Sequence, residues 1–231
     1  MWNYIKKNIA YFLKKRHQPD YWKNYAESLK NIPTKSIEES KFVVFDCETS
    51  GLNPKEDRIL SMGAVTIRGN TIDIKDNFEV YLEQDIFNRE SVAIHGLLKK
   101  GKLKKVSEEQ AIKNFLVYIE GAILVGHHIS FDVACVNYAL KRMGLPKLKN
   151  KVLDTGVLFK KTKHQLYAEA FTKVFSLDEV CDELKVKKKD RHTASGDAYI
   201  TAIVFFKILG RLNRNNDLTL KELFFTPKMI Y

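Results

Sequence analysis

The chain has 231 residues, with 39 Lys and Arg against 28 Asp and Glu, so its formal net charge is +11. A composition that is 45% hydrophobic and 29% charged is typical of a globular protein and excludes disordered and collagenous classes. The 3 cysteines form no CxxC pair, which excludes a disulfide framework and a zinc knuckle and favours a reducing, cytoplasmic setting. No apolar run approaches the roughly 18 residues of a spanning helix, and the first residues lack a signal-peptide cleavage site. The surplus of basic residues is compatible with a polyanionic partner.

Residues 1–40 differ in character from the rest of the chain. Apolar residues recur there at helical spacing among lysines, namely Trp2, Ile5, Ile9 and Phe12. A second aromatic and basic stretch follows at 21–25, and residues 31–40 are typical of a linker. We therefore predict a basic amphipathic helical extension. Its apolar stripe packs on the main domain, or it binds a protein partner or a membrane surface.

From Lys41 the pattern predicts an α/β domain. Five strands are expected: a buried strand at 41–50, a hairpin of two strands within 58–83 that turns at Gly69 and Asn70, and further strands at 122–128 and 151–156. Ser107 and Gln110 resemble a capping box. The predicted helices cover residues 107–121, 131–143, 156–171, 176–184 and 195–212. Strands come first and then alternate with helices, which predicts a mixed five-stranded sheet flanked by helices, followed by a C-terminal tail at 213–231.

Two carboxylates end the first predicted strand. Because side chains alternate along a strand, Asp46 and Glu48 point to one face and Cys47 to the other. Neighbouring carboxylates at the end of a buried strand repel each other and lose hydration, unless a cation or a shared proton compensates. A strand end open to solvent is the alternative, but the pair favours a metal site.

Two further segments carry acids at the start of predicted helices. Asp132 follows a buried strand, and Asp197 falls in the first or second turn of the helix at 195–212, with His192 just outside it. An acidic residue in the first turn complements the helix dipole, so each segment alone has an ordinary structural explanation. His127 and His128 are adjacent on a strand, so at most one of them faces the carboxylates.

Together the three segments resemble the motifs of the DnaQ-like (DEDDh) 3′–5′ exonucleases. FDCETSGL at 45–52 matches that family's FDxETTGL, GHHISFD at 126–132 resembles its GHNxxFD, and HTASGD at 192–197 matches its HxxxxD. AIHGL at 93–97 and LDT at 153–155 resemble two further family segments. The resemblance implies a ribonuclease H-like fold for an exonuclease domain at 41–212, similar to the exonuclease domains of DNA polymerase III epsilon type.

The resemblance also implies a mechanism. It assigns Asp46, Glu48, Asp132 and Asp197 to two divalent cations, and hard oxygen ligands select Mg²⁺ or Mn²⁺. Two such ions can clamp the attacking and leaving oxygens of a phosphodiester. It assigns His192 as general base, a role suited to a group that titrates near neutral pH. The expected product is a 5′-mononucleotide released from a 3′ end.

Substrate contacts are implied for the segments that flank these residues. Leu52 and His95 are the candidates for stacking on the last base. The full set of implied substrate-binding residues is Thr49, Gly51, Leu52, His95, His128 and Phe131. Lysine-rich segments at 99–105 and 185–191 could hold the strand.

Two positions depart from the family pattern. Ser50 replaces the usual second threonine and keeps the hydroxyl. His128 replaces the usual asparagine, and because imidazole cannot act as both ends of an amide, local geometry or substrate preference is expected to differ there.

The substrate is predicted to be single-stranded nucleic acid, with DNA favoured over RNA. An exoribonuclease acting on short RNA is the alternative, and a non-catalytic nucleic-acid-binding module is a second one. The latter predicts loss of a carboxylate or of the histidine, and here all of them are present. A stand-alone DNA exonuclease, or one recruited by its N-terminal helix, is favoured over a proofreading subunit. The partner of residues 1–40, which could be a polymerase, another protein or a membrane surface, is left open, as is the oligomeric state.

Overall fold

A mixed sheet of 6 strands, in the order β4-β3-β2-β1-β5-β6, lies at the centre of the computed structural model. The structure describes residues 18–30, 36–85, 96–97, 103–163 and 173–225. Strand β1 pairs antiparallel with β2 and parallel with β5, so the long antiparallel strands lie on one side of it and the short parallel strands on the other. The strands are β1 (Lys41–Thr49), β2 (Ile59–Arg68), β3 (Thr71–Leu82), β4 (Lys105–Val106), β5 (Ile123–Gly126) and β6 (Val152–Asp154).

The predicted mixed sheet is therefore present, with one strand more than expected. Strand β4 has 2 residues and pairs parallel with the end of β3, Tyr81 opposite Lys105. A strand this short has no alternation of apolar and polar residues, so no sequence pattern indicates it.

Helices cover both faces of the sheet. One face carries α1 (Asp20–Ser28), α2 (Glu108–Tyr118) and α3 (Ser130–Arg142); the other carries α4 (Thr155–Lys161), α5 (Leu177–Leu184), α6 (Ala194–Leu212) and α7 (Leu220–Phe224). Alternate residues of β1 enter the two cores: Val43 and Phe45 pack with α2, and Phe42 and Val44 pack with α6. This alternation decides which face receives the carboxylates farther along the strand.

Part of the predicted N-terminal extension belongs to the core on the face of the sheet that carries α1, α2 and α3. Trp22 and Tyr25 on α1 are 0% exposed, and their rings lie 5.1 Å apart between centroids. The Tyr25 hydroxyl accepts a hydrogen bond from the Lys149 backbone N–H at 2.8 Å, which ties α1 to the loop before β6. The predicted helix within residues 1–17 lies outside the described residues.

Two C-terminal features differ from the predicted pattern. Helix α4 ends at Lys161, before the predicted end at 171, and residues 164–172 lie outside the described part. Within the predicted tail, Thr219 and Glu222 form a capping box that starts α7, and Leu223 is buried in the second core. Within the described ranges, no helix combines the length and the apolar character needed to cross a membrane.

Candidate active site

Three carboxylates converge where β1 ends. Asp46 and Glu48 continue the alternation of Phe42 and Val44, so they point toward α6, whose first turn carries Asp197. Ligand oxygens of Asp46, Glu48 and Asp197 all lie within 4.8 Å of one another. The expectation that both strand acids share a face thus agrees with the structure, which brings Asp197 to the same place.

The absence of a side chain at Gly63 lets α6 approach the sheet. Gly63 pairs with Asp46 across β1 and β2. A β-carbon there would lie 2.2 Å from the Ser195 backbone nitrogen and 2.3 Å from the Ala194 carbonyl carbon. The first turn of α6 therefore rests directly on the strand backbone, and this contact sets the position of Asp197. A glycine inside a predicted strand is the sequence signal for such a close backbone approach.

A second glycine, Gly196 in the first turn of α6, lets the segment before the helix pack closely against it. A β-carbon at Gly196 would lie 2.0 Å from the Asp190 carbonyl oxygen, so the 190–193 loop folds tightly over the start of the helix. Thr193 caps the helix by accepting a hydrogen bond from the Gly196 N–H. Asp190 and His192 adopt left-handed backbone conformations, with φ of 61° and 64°. Such conformations in residues other than glycine cost energy and concentrate at functional sites.

Asp132 lies beside the three converging carboxylates. It belongs to the first turn of α3, is 5% exposed, and accepts a hydrogen bond from the Cys47 N–H at 3.0 Å. Its charge contributes to raising the pKa of Asp46. The structure therefore places the fourth predicted ligand next to the other three, with one oxygen directed to the β1 backbone.

The clustered acids hold their protons more tightly than isolated carboxyls. Burial, then the charges of Asp132 and Asp197, raise the pKa of Asp46 well above its usual range. Burial and the charge of Asp197 raise the pKa of Glu48 to about 7, and burial raises the pKa of Asp132 to about 7. This is an environment in which divalent cations would relieve both the desolvation and the mutual repulsion.

The guanidinium of Arg191 faces this cluster. It forms an ion pair with Asp197 and a two-point contact with Asp178, at 3.0 and 3.3 Å. Its charge counteracts the rise in the pKa of Glu48. The sequence groups Arg191 with the nearby lysines as a strand-binding cluster, and the structure shows that Arg191 is paired with the protein's own acids. Lys188 likewise lies 2.8 Å from Asp182.

His192 lies at the edge of the site with its side chain exposed. Its backbone N–H donates a hydrogen bond of 3.2 Å to Asp197, which couples the position of the histidine to that carboxylate. His192 is thus tied to the cluster through its backbone, and its side chain is open to solvent.

The loop after β1 is held by its own hydrogen bonds. The Thr49 hydroxyl donates to the Gly51 carbonyl at 2.7 Å, and the buried Ser50 hydroxyl donates to Asp57 at 2.8 Å. Gly51 lies so close to the Asp57 carboxylate that a β-carbon would approach it to 2.5 Å. Leu52, at the tip, is 88% exposed. The loop thus presents an apolar side chain to solvent on a fixed backbone.

The two adjacent histidines have different surroundings. His127 lies 2.9 Å from both the Thr155 hydroxyl and the Phe175 carbonyl, and burial lowers its pKa, so it links β5 to neighbouring segments. His128 is exposed at φ 54°, a backbone region in which both asparagine and histidine are enriched. The replacement of asparagine therefore keeps this conformation accessible. Phe131 is half-buried on α3, and His95 lies outside the described residues, as do Lys99, Lys100 and Lys102.

Comparison with known proteins decides the family. Residues 43–205 match the RNase_T family of exonucleases. The chain belongs to this exonuclease family. This membership confirms the resemblance to DnaQ-like exonucleases and the predicted class of enzyme.

Two relatives of this exonuclease are larger proteins. The PolC-type DNA polymerase III of Caldanaerobacter subterraneus subsp. tengcongensis is 34% identical over 175 residues, which cover 75% of this chain and 12% of the polymerase. The 3′–5′ exonuclease DinG of Bacillus subtilis is 30% identical over 192 residues, which cover 81% of this chain and 19% of DinG. The chain thus spans less than a fifth of either relative's length.

Two solved structures share the fold. The complex of E. coli ExoI with ssDNA has a TM-score of 0.67 and 16% identity, covering 78% of this chain and 42% of that chain. S. pombe Pop2p, in its Mg²⁺ and Mn²⁺ bound form, has a TM-score of 0.60 and 15% identity, covering 74% of this chain and 83% of that chain. These similarities confirm the predicted α/β ribonuclease H-like fold.

Proposed function

We propose that this exonuclease removes 5′-mononucleotides from the 3′ end of single-stranded nucleic acid in a reaction that requires two divalent cations. The observation that carries the proposal is the convergence of Asp46, Glu48 and Asp197, with oxygens within 4.8 Å, at the end of β1 beside the buried Asp132. Such a cluster of mutually repelling acids is costly for a structural role alone.

The donor set fits Mg²⁺ or Mn²⁺. Asp46, Glu48, Asp132 and Asp197 offer only carboxylate oxygens, which are the ligands that these hard cations prefer. Bound there, two divalent cations would lower the pKa of a water molecule and stabilise charge on the departing oxygen. The Mg²⁺ and Mn²⁺ bound by Pop2p support this choice of ions.

The protein's own groups supply the remaining chemistry. His192, exposed beside Asp197, would accept the proton of the attacking water at its imidazole. Arg191 pairs with Asp197 and would neutralise this carboxylate until a divalent cation takes its place. Leu52 would stack on the terminal base and fix the 3′ end. The other predicted substrate-binding residues would contact the same nucleotide, namely Thr49, Gly51, His95, His128 and Phe131.

DNA is the favoured substrate and RNA the alternative. The ssDNA of the ExoI complex and the polymerase name of a relative both point to DNA, although each belongs to that protein alone. The polymerase relative also supports a proofreading role, in which residues 1–40 would contact a polymerase.

The decisive experiment digests matched DNA and RNA strands that carry a 5′ label, with Mg²⁺, with Mn²⁺ or with EDTA. Successive shortening from the 3′ end is expected with either metal and not with EDTA. Asp46→Asn should abolish it, and Asp217→Asn, an exposed acid far along the chain, should not. Activity retained by Asp46→Asn would disprove the metal assignment, and faster digestion of RNA would reverse the choice of substrate.

A further inference from the structure

A groove of about 800 Å³ runs along the face of the sheet that carries α6, between that helix and strands β2 and β3. Val186, Ile200 and Ile203 contribute to its apolar lining. At one end it reaches the loop before α6, where Asp190, Thr193 and Ser195 line it, so it opens beside the segment that carries His192. We call it the lysine groove, after the residues on its rim.

Four exposed lysines line this groove: Lys185, Lys187, Lys189 and Lys207. None of the four forms an ion pair or a hydrogen bond through its side chain with another described residue. Lys188 and Arg191, in the same stretch, are paired with Asp182 and with Asp178. The structure thus separates the basic segment into cations that bind the protein's own acids and cations that remain available in the groove.

The groove also presents aromatic and aliphatic side chains. Tyr199 is 39% exposed, and Ile74, in an irregular part of β3, is 63% exposed. The Tyr81 hydroxyl donates a 2.7 Å hydrogen bond to Glu79, which also accepts one from Ser195 at 2.9 Å. Glu79, one of the two acids on the lining, is therefore occupied in linking the Tyr81 hydroxyl to Ser195 at the start of α6.

The register of the sheet places this groove near the carboxylates. Glu48 pairs with Ser61, and Ser61 pairs with Tyr81, so Tyr81 lies on the same face two strands away from Glu48. At about 4.8 Å per strand, this separation is about 10 Å between backbones. From Ser195 to Lys207 the helix advances about 18 Å, which accommodates at most about five nucleotides at the 3.4 Å spacing of a stacked strand.

We propose that the lysine groove binds a segment of the single-stranded nucleic acid that lies 5′ of the nucleotide being removed. The inference rests on the proposed function and adds to it the path of the strand. Lysines would neutralise phosphates, and the faces of Tyr81 and Tyr199 would stack on bases, which is the usual combination for binding single strands without sequence preference. A binding site there makes affinity depend on substrate length.

The test compares a 20-nucleotide DNA strand with the p-nitrophenyl ester of thymidine 5′-monophosphate, which is too small to reach the groove. The double variant Lys187→Ala/Lys207→Ala should raise KM for the strand about tenfold, and leave kcat and the hydrolysis of the ester unchanged. The slope of log KM against log salt concentration should fall by about 1.4, that is, about 0.7 for each phosphate that the variant no longer neutralises. Tyr199→Ala should raise KM for the strand about tenfold without altering that slope.

The matched control is Lys113→Ala/Lys141→Ala, which removes the same charge from helices α2 and α3 on the opposite face. It should leave KM for the strand unchanged. The inference would be overturned if both double variants raised KM equally, or if the groove variants of an active enzyme left KM unchanged. Either outcome would leave the proposed function intact. A wild-type protein inactive on both substrates would overturn the proposed function and this inference with it.

Discussion

Replacing Gly63 with alanine tests whether the contact between α6 and the sheet positions the active site. The added β-carbon would lie 2.2 Å from the Ser195 nitrogen and 2.5 Å from the Ala194 carbonyl oxygen. Both are backbone atoms, so no side chain can rotate away to relieve the clash. The start of α6 must therefore withdraw by about 1 Å to reach ordinary van der Waals contact.

The substitution should impair catalysis while leaving the protein folded. Asp197 lies in the first turn of α6 and moves with it, and a misplacement of about 1 Å can lower a rate about 100-fold. Overpacking costs about 1–3 kcal/mol of folding free energy, which the remaining contacts of a helix of 19 residues can tolerate. We therefore expect a folded Gly63→Ala variant whose kcat falls by about two orders of magnitude.

The assay measures kcat on a 5′-labelled strand and the melting temperature by calorimetry. Gly210→Ala provides the control, because it makes the same substitution within α6, at a position where nothing lies within 4 Å of the new β-carbon. That variant should keep full activity and gain about 0.5–1 kcal/mol, the usual preference of a helix for alanine. A Gly63→Ala enzyme with wild-type kcat and melting temperature would refute the reasoning.

Three further predictions concern the charges of the site. His192→Ala should lower kcat at neutral pH about 100-fold or more while leaving the Mn²⁺ dissociation constant from calorimetry nearly unchanged; an unchanged pH profile of kcat would contradict its role as base. In the metal-free protein the pKa of Glu48 and of Asp132 is about 7, above the unfolded values near 4, so their contribution to stability is full below about pH 4 and is lost as the pH rises to about 7. The rise in melting temperature caused by Mn²⁺ should accordingly grow from pH 5 to about 7.5 and then level off, whereas a constant rise would argue against these shifts. Arg191→Ala leaves Asp197 without its partner, so it should destabilise the metal-free protein by about 3 kcal/mol and tighten Mn²⁺ binding; weaker Mn²⁺ binding would show that Arg191 orients the ligands rather than competing for them.

The sequence predicts those features that short-range patterns encode. Alternation along β1 separates Asp46 and Glu48 from Cys47, and that separation holds. The apolar runs and capping residues predict five strands and most helices, since each is a local signal. Three motifs in the correct order then identify the family, because their spacing reflects one fold.

Contacts between distant segments lie beyond such patterns. The pairing of Arg191 with Asp178 and Asp197 depends on how α5 and α6 meet, so the sequence places the arginine with the neighbouring lysines. The two residues of β4 carry no periodicity of their own. Likewise, the lysine groove combines β3 with a loop more than a hundred residues later, and only the folded sheet brings them together.

The order of the metal-ligand candidates along the chain has a consequence for biosynthesis. Asp46 and Glu48 are made early, Asp132 follows, and Asp197 comes last, in a helix that closes onto Gly63 of a hairpin synthesised long before. Contacts of such large sequence separation form slowly, because the chain between them must first be ordered. A partly synthesised chain therefore lacks a complete set of carboxylates. Cutting activity would therefore arise only once α6 has docked on Gly63, which makes this late helix the step that completes the site.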